Sequence, residues 1–207
     1  MKKTAYGKPF FFNENGQVST LTKIEALDEI SIQDLIFQYP ECLPISDIDE
    51  SYNPIIPVCK ELNTTVGPLD ILMVSPNGEL TIIETKLWRN PEARRVVVAQ
   101  ILDYAKELSN WTYEDLQREI NRRLGSKGNT LYELVKTTNS EFVLPESDFI
   151  DSVSRNLKRG KFLLLIAGDG IREGASGIVE FLSDVGHLNF IFAMVDLIFI
   201  LQKDLVL

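Results

Sequence analysis

The chain has 207 residues, 44% of them hydrophobic and 25% charged, with a net charge of −9. That composition is ordinary for a globular domain with elaborations, and the acidity counts against a generic basic surface for nucleic acid. One His (His187) and two Cys (Cys42 and Cys59) exclude a disulfide framework, a zinc centre of ordinary spacing and a His-based catalytic triad, so any bound metal must be held by oxygen.

The N-terminal apolar run, Pro9–Phe12, is too short for a signal peptide. The longest apolar run, Phe190–Leu201, is interrupted by Asp196 and falls short of the roughly twenty residues of a membrane helix. A cytoplasmic protein without a membrane partner is expected.

Residues 8–22 pattern as a hairpin with Asn15-Gly16 at its turn. Residues 24–38 carry a helical stripe of Ile24, Leu27, Ile32, Leu35 and Ile36; Ser31 is a candidate second cap, and Pro40 ends the helix. Residues 41–54, acidic and holding Pro44 and Pro54, are expected as a loop. Ile55–Leu62 patterns as a strand whose Pro57 marks an edge or a bulge. Glu61, near its end, is read as a rim charge or a further acid for a metal shell. Asn63–Gly67 makes a tight return.

Two apolar runs, Leu69–Ser75 and Leu80–Lys86, then flank Pro76-Asn77-Gly78. Pro suits the second position of a type I turn and Gly the left-handed position after it, which gives a three-residue hairpin loop. In that register Ser75 faces Glu79 and Asp70 faces Glu84. Side chains two apart share a strand face, so Lys86 joins the two acids. A two-residue loop would slip the register and set Asp70 against Thr85. The rest of that face and most of the other are apolar, which implies a sheet covered on both sides. At about 5 Å and an effective dielectric of about 20, two such carboxylates repel by about 3 kcal/mol. Lys86 offsets one charge; a divalent cation with oxygen ligands would offset the rest.

Asn90 and Pro91 are expected to cap and open a helix running to about Leu108, with Val97, Ile101, Ala105 and Leu108 buried and Gln100 and Tyr104 together beside them. Arg94 and Arg95 in its first turns oppose the helix dipole, which hints at a nearby anion. Thr112–Leu124 patterns as a helix with a Thr112/Asp115 cap pair, followed by a break at Gly125–Asn129 and a variable insert at 130–146. A helix over Ser147–Leu157 with Ser147 as cap, a fully apolar fourth core strand at Phe162–Ala167, a helix over Gly174–Gly186 and a long strand over Asn189–Gln202 complete the chain. That last strand is expected to join the sheet or to pair with a second copy as a homodimer. Gly168–Gly174 (GDGIREG) resembles a phosphate loop but lacks the Walker Lys-Ser/Thr, and a turn and cap is the favoured reading. Basic groups concentrate at Lys86, Arg89, Arg94 and Arg95, at Arg118, Arg122, Arg123 and Lys127, and at Arg155, Lys158, Arg159 and Lys161. Solvated helix faces are favoured for the second and third clusters.

Asp70, with Glu84-Thr85-Lys86 after thirteen intervening residues, resembles the PD-(D/E)xK signature of restriction-endonuclease-like nucleases. The Pro-Asp pair departs from the pattern, since Leu69 separates Pro68 from Asp70. Gln100 and Tyr104 match the QxxxY element of RecB-type nuclease domains, and NucS-like endonucleases are also similar. The resemblance implies an α/β fold with a restriction-endonuclease-like αβββαβ core, a central mixed sheet flanked by helices. That core would span 24–167, with a helical insert at about 110–146, an N-terminal hairpin at 1–23 and a helix-strand extension at 168–207. It also implies a nuclease cleaving phosphodiester bonds with Mg²⁺ or Mn²⁺, on nucleic acid and DNA first. Asp70, Glu84 and the backbone carbonyl of Thr85 would hold the metal, and Glu29 best fits the acid that the preceding helix adds to such sites. Lys86, Gln100 and Tyr104 would complete the catalytic set, and Arg89, Arg94 and Arg95 would contact the nucleic acid. The alternative is a catalytically silent nucleic-acid-binding or assembly module, and a third reading is an enzyme on small nucleotides using the Gly168–Gly174 loop.

Overall fold

The computed structural model describes residues 10–12, 18–23, 28–87, 93–138, 144–169 and 189–202; side chains are not described at 10–12, 18–23, 93–95 and 201–202. The chain is α/β. A five-stranded mixed sheet is formed by β3 (Ile56–Thr64), β4 (Gly67–Val74), β5 (Leu80–Leu87), β6 (Phe162–Asp169) and β7 (Ile191–Asp196), in that spatial order. The first three are antiparallel, and β6 and β7 continue parallel to β5. A second sheet has the order β1–β2–β8, from Phe10–Phe12, Val18–Lys23 and Ile200–Gln202. Among the described residues no helix is long and apolar enough to cross a membrane.

The central strands are apolar on both faces, so both must be covered. One face packs Ile71, Met73, Ile83, Leu163 and Leu165 against Ile32 and Ile36 of α1 (Glu29–Gln38) and against Ile45 of α2 (Ile45–Ile48). The other packs Leu72, Val74, Leu80, Ile82 and Leu164 against α3 (Ala93–Leu108), α4 (Tyr113–Leu124), α5 (Thr130–Thr138) and α6 (Glu146–Arg159).

The hairpin register is the one that the three-residue loop requires. Ile71 pairs with Ile83 and Val74 with Leu80, and Ser75 N–H donates to Glu79 O at 2.9 Å. Gly78 sits at φ 85°, the left-handed position expected of it. This turn packs on α6 with Pro76 and Gly78 buried and Asn77 exposed; Ser152 Oγ donates to Asn77 O at 2.7 Å and Asn156 Nδ2 to Gly78 O at 2.9 Å.

Several boundaries differ from the sequence reading. Asp28 caps α1 by accepting Ser31 N–H at 2.7 Å, so one helix starts at Glu29 and Ser31 lies inside its first turn. The 41–54 stretch is not a plain loop: it holds α2 and two single-turn 3₁₀ segments, Pro40–Cys42 and Glu50–Tyr52. β3 runs on to Thr64, is an edge strand among the described residues, and shifts register between Pro57 and Cys59, as the proline demands. The 130–146 insert contains α5. α6 starts at Glu146 after Pro145, and Ser147 makes no cap there. The long C-terminal strand is two strands: residues 197–199 are not extended strand, although Leu197 N–H still donates to Gly168 O at 2.8 Å, and β8 pairs with β2 instead of the main sheet. The Thr112/Asp115 capping box forms as read. The Asn15-Gly16 turn, the Asn90/Pro91 cap, the Gly174–Gly186 helix and His187 lie outside the described residues.

Gly78 and Gly125 give a controlled comparison. Both have positive φ, but a Cβ on Gly78 would meet Val153 Cγ2 at 3.0 Å and its backbone N at 3.2 Å, whereas one on Gly125 meets nothing within 4 Å. Gly78→Ala is expected to cost about 2–4 kcal/mol in urea unfolding and Gly125→Ala about 1 kcal/mol. Equal costs would mean that the turn is not packed against α6.

Candidate metal-binding and catalytic site

Asp70 and Glu84 are the next pair beyond Ile71↔Ile83, at the end of the hairpin where β4 and β5 separate. The Asp70 carboxylate enters that gap. Its Oδ2 accepts Thr85 N–H at 2.8 Å and Thr85 Oγ1–H at 2.7 Å. Thr85 is 1% exposed, so its hydroxyl is a fixed donor that sets the orientation of Asp70. The sequence reading gave Thr85 a role through its carbonyl and missed this clamp; a hydroxyl between the two signature residues Glu84 and Lys86 was the available signal.

Glu84 is 3% exposed, and among the described residues its Oε2 has no hydrogen-bond partner. Burial, reinforced by the Asp70 carboxylate, pushes its pKa up to about 9, against the opposing pull of Lys86; Glu29 and Glu61 push the same way as Asp70. The expected pair of acids is thus together, and one of the two is held in an environment where the bare anion is disfavoured.

Glu61 completes a row across three strands. Lys60↔Ile71 and Leu62↔Leu69 bracket Glu61 and Asp70, so Glu61 of β3, Asp70 of β4 and Glu84 of β5 are successive neighbours. Glu61 has φ 54°, the one positive φ of a residue other than Gly among the described residues. That conformation costs a residue with a Cβ about 1–2 kcal/mol. It accompanies a change of face: Lys60 ion-pairs with Asp34 of α1, whereas Leu62 packs on the α3 side. Arg123 Nε donates to Lys60 O at 2.6 Å and ties this bend to α4.

α3 supports the site from the sheet face that carries Leu72, Leu80 and Ile82. Tyr104 is 1% exposed, and its hydroxyl donates to Pro68 O at 2.6 Å while accepting from Gln100 Nε2 at 2.9 Å. The pair therefore anchors the strand two residues before Asp70; the Tyr ring is packed in the core and offers no face for stacking. Burial raises the Tyr104 pKa, so the phenol stays a donor.

Lys86 does not pair with Asp70 or Glu84. Its Nζ lies 2.8 Å from Glu29 Oε1 and 3.1 Å from Oε2, and Glu29 Oε1 also accepts Leu87 N–H at 3.3 Å. Glu29 comes to the site, as the resemblance implies, but its contacts are to the lysine and a backbone amide. Arg118 and Arg122 are ion-paired with Asp115 and Glu119 along α4, in keeping with a solvated helix face. Arg89 and the side chains of Arg94 and Arg95 lie outside the described residues, as do all but Gly168 and Asp169 of the Gly168–Gly174 loop.

Among the described residues no three His, Cys, Asp or Glu side chains cluster closely enough to hold one metal ion. A divalent ion here would need Asp70, Glu84 and a non-carboxylate donor such as the Thr85 carbonyl. The donor set fits on one observation: Glu84 Oε2 is a buried carboxyl oxygen without a hydrogen-bond partner among the described residues, and a carboxylate oxygen, once its proton gives way to the ion, is the ligand type that Mg²⁺ and Mn²⁺ prefer. Comparison with protein-family models, curated proteins and solved structures finds no match to this chain.

A carboxyl whose pKa is higher in the fold than in the unfolded chain loses stability as pH rises. Between about 4.5 and about 9 the folded, metal-free protein holds a proton on Glu84 that the unfolded chain has released. Stability is expected to fall there by up to about 1.4 kcal/mol per pH unit from this group. Glu84→Gln should flatten that slope in urea titrations run with chelator, and an unchanged slope would show that Glu84 is not the group responsible.

Proposed function

We propose that the protein is a metal-dependent nuclease that hydrolyses phosphodiester bonds, with DNA the first substrate to test. The observation that carries this reading is the buried Glu84 carboxyl oxygen, unpartnered among the described residues, beside Asp70, at the end of a hairpin whose next residues are Thr85 and Lys86. The order of elements supports it. A helix, three antiparallel strands, a helix and a parallel strand follow one another as in the αβββαβ core of PD-(D/E)xK nucleases, with α4–α6 inserted before β6.

In this reading Asp70, Glu84 and the Thr85 carbonyl hold Mg²⁺ or Mn²⁺. The bound ion supplies Lewis acidity: it lowers the pKa of a water and polarises the scissile phosphate. Thr85 keeps Asp70 turned into the gap. Lys86 supplies positive charge for the phosphate oxygens as negative charge grows on them. Tyr104 and Gln100 act by fixing the start of β4 and touch no substrate. Cleavage adds a water to the phosphorus and breaks one P–O bond, and the departing oxygen takes up a proton.

The runner-up is a silent nucleic-acid-binding module, favoured by the Lys86–Glu29 pair, which gives Lys86 a structural partner. The two readings separate on metal. Under the nuclease reading, Mn²⁺ at a hundred times its Kd should raise the melting temperature by about 5–10 °C, and Glu84→Ala should abolish the rise. DNA cleavage should vanish in Asp70→Ala and fall about 10²–10³-fold in Lys86→Ala. A folded wild-type protein with no metal-induced shift and no cleavage would favour the silent module.

A further inference from the structure

Resting on that nuclease reading, we propose that Glu29 is a positioning residue for Lys86, holding its ammonium at the mouth of the Asp70–Glu84 gap, and that it is not a ligand of the ion those two acids would bind. Both Glu29 oxygens are engaged: Oε1 lies 2.8 Å and Oε2 3.1 Å from Lys86 Nζ, and Oε1 also takes the Leu87 amide. Ligation by Glu29 would set a divalent cation beside the ammonium that the same carboxylate already holds, a like-charge contact, and Glu29 forms no three-acid cluster with Asp70 and Glu84 among the described residues.

The helix that carries Glu29 is fixed independently of the pair. Asp28 caps its first turn, Ile32 and Ile36 are fully buried beneath it, and Asp34 ion-pairs with Lys60 of β3. α1 therefore spans the sheet face from β3 to β5, tied on either side of β4, the strand of Asp70. A helix fixed on the sheet thus places the Glu29 backbone, and the Leu87 amide on Oε1 helps to orient the carboxylate toward the flexible four-carbon Lys86 side chain. An ammonium has three donors. Glu29 takes at most two of them, so at least one stays free for a phosphate oxygen. Such an arrangement confines the lysine before substrate arrives, the condition under which an approaching group gains from orientation.

The test uses the full chain with Glu29→Gln and Glu29→Ala, the first preserving shape at the helix start. Mn²⁺ affinity by calorimetry should stay within about twofold of wild type in both. The kcat for cleaving DNA should drop in the order wild type, Gln, Ala, by about 10–100-fold for Ala, with KM little changed. The ¹⁵N resonance of the Lys86 ammonium should be ordered in wild type and mobile in Glu29→Ala. A tenfold or greater loss of Mn²⁺ affinity in Glu29→Gln would make Glu29 a ligand and overturn the proposal, as would an unchanged kcat in Glu29→Ala. A folded wild type that binds no Mn²⁺ and cleaves nothing would overturn the nuclease reading itself; an ordered Lys86 in that case marks a purely structural pair.

Discussion

A carboxylate buried in an apolar sheet is unfavourable by several kcal/mol unless it is paired, hydrogen-bonded, protonated or bound to a cation. Glu84 meets that condition in the middle of β5, with Asp70 across the hairpin and Glu61 one strand further on. The fold offers the nearest positive group, Lys86, but commits it to Glu29. What remains is an oxygen that no described residue satisfies, in a sheet whose core is otherwise built of apolar side chains. Such a group is destabilising as architecture, and under the proposed function a bound cation offsets that cost.

The surrounding elements make sense as means of holding that row of acids open. α1 ties β3 and β5 through Asp34–Lys60 and Glu29–Lys86. α3 fixes the start of β4 through Tyr104 and Pro68. Thr85 takes the Asp70 carboxylate into the backbone gap, where a ladder hydrogen bond would otherwise close the hairpin. The left-handed Glu61 changes the face of β3 at the same level, a local strain of the kind that clusters at functional sites. At the other end, α6 packs on the turn that sets the register.

Much of this was legible in the sequence because it depends on local chemistry. Pro76-Asn77-Gly78 favours the three-residue loop over a two-residue Asn77-Gly78 turn, and the three-residue loop sets Asp70 opposite Glu84. The periodicity around Val97, Ile101 and Leu108 places Gln100 and Tyr104 beside the core. Pro57 marks the irregular edge strand. What the sequence did not disclose depends on partners far along the chain. Lys86 and Glu29 are 57 positions apart, and their choice of each other over the acids at 70 and 84 is a matter of how α1 lies on the sheet. The alignment of Glu61 with Asp70 follows from a bulge near Pro57 and a left-handed residue, neither of which leaves a readable pattern. The break at Leu197–Phe199 is equally silent, since Phe190–Leu201 is one continuous apolar run interrupted only by Asp196, and pairing of β8 with β2 is what divides it.

The central claim is that Asp70 and Glu84 jointly hold a divalent cation. Anomalous diffraction from a crystal soaked in Mn²⁺ tests it without any assumption about substrate. The account predicts one strong peak bridging the two carboxylates, at about 2.1 Å from an oxygen of each. A crystal saturated with Mn²⁺ that shows no peak between them would contradict it.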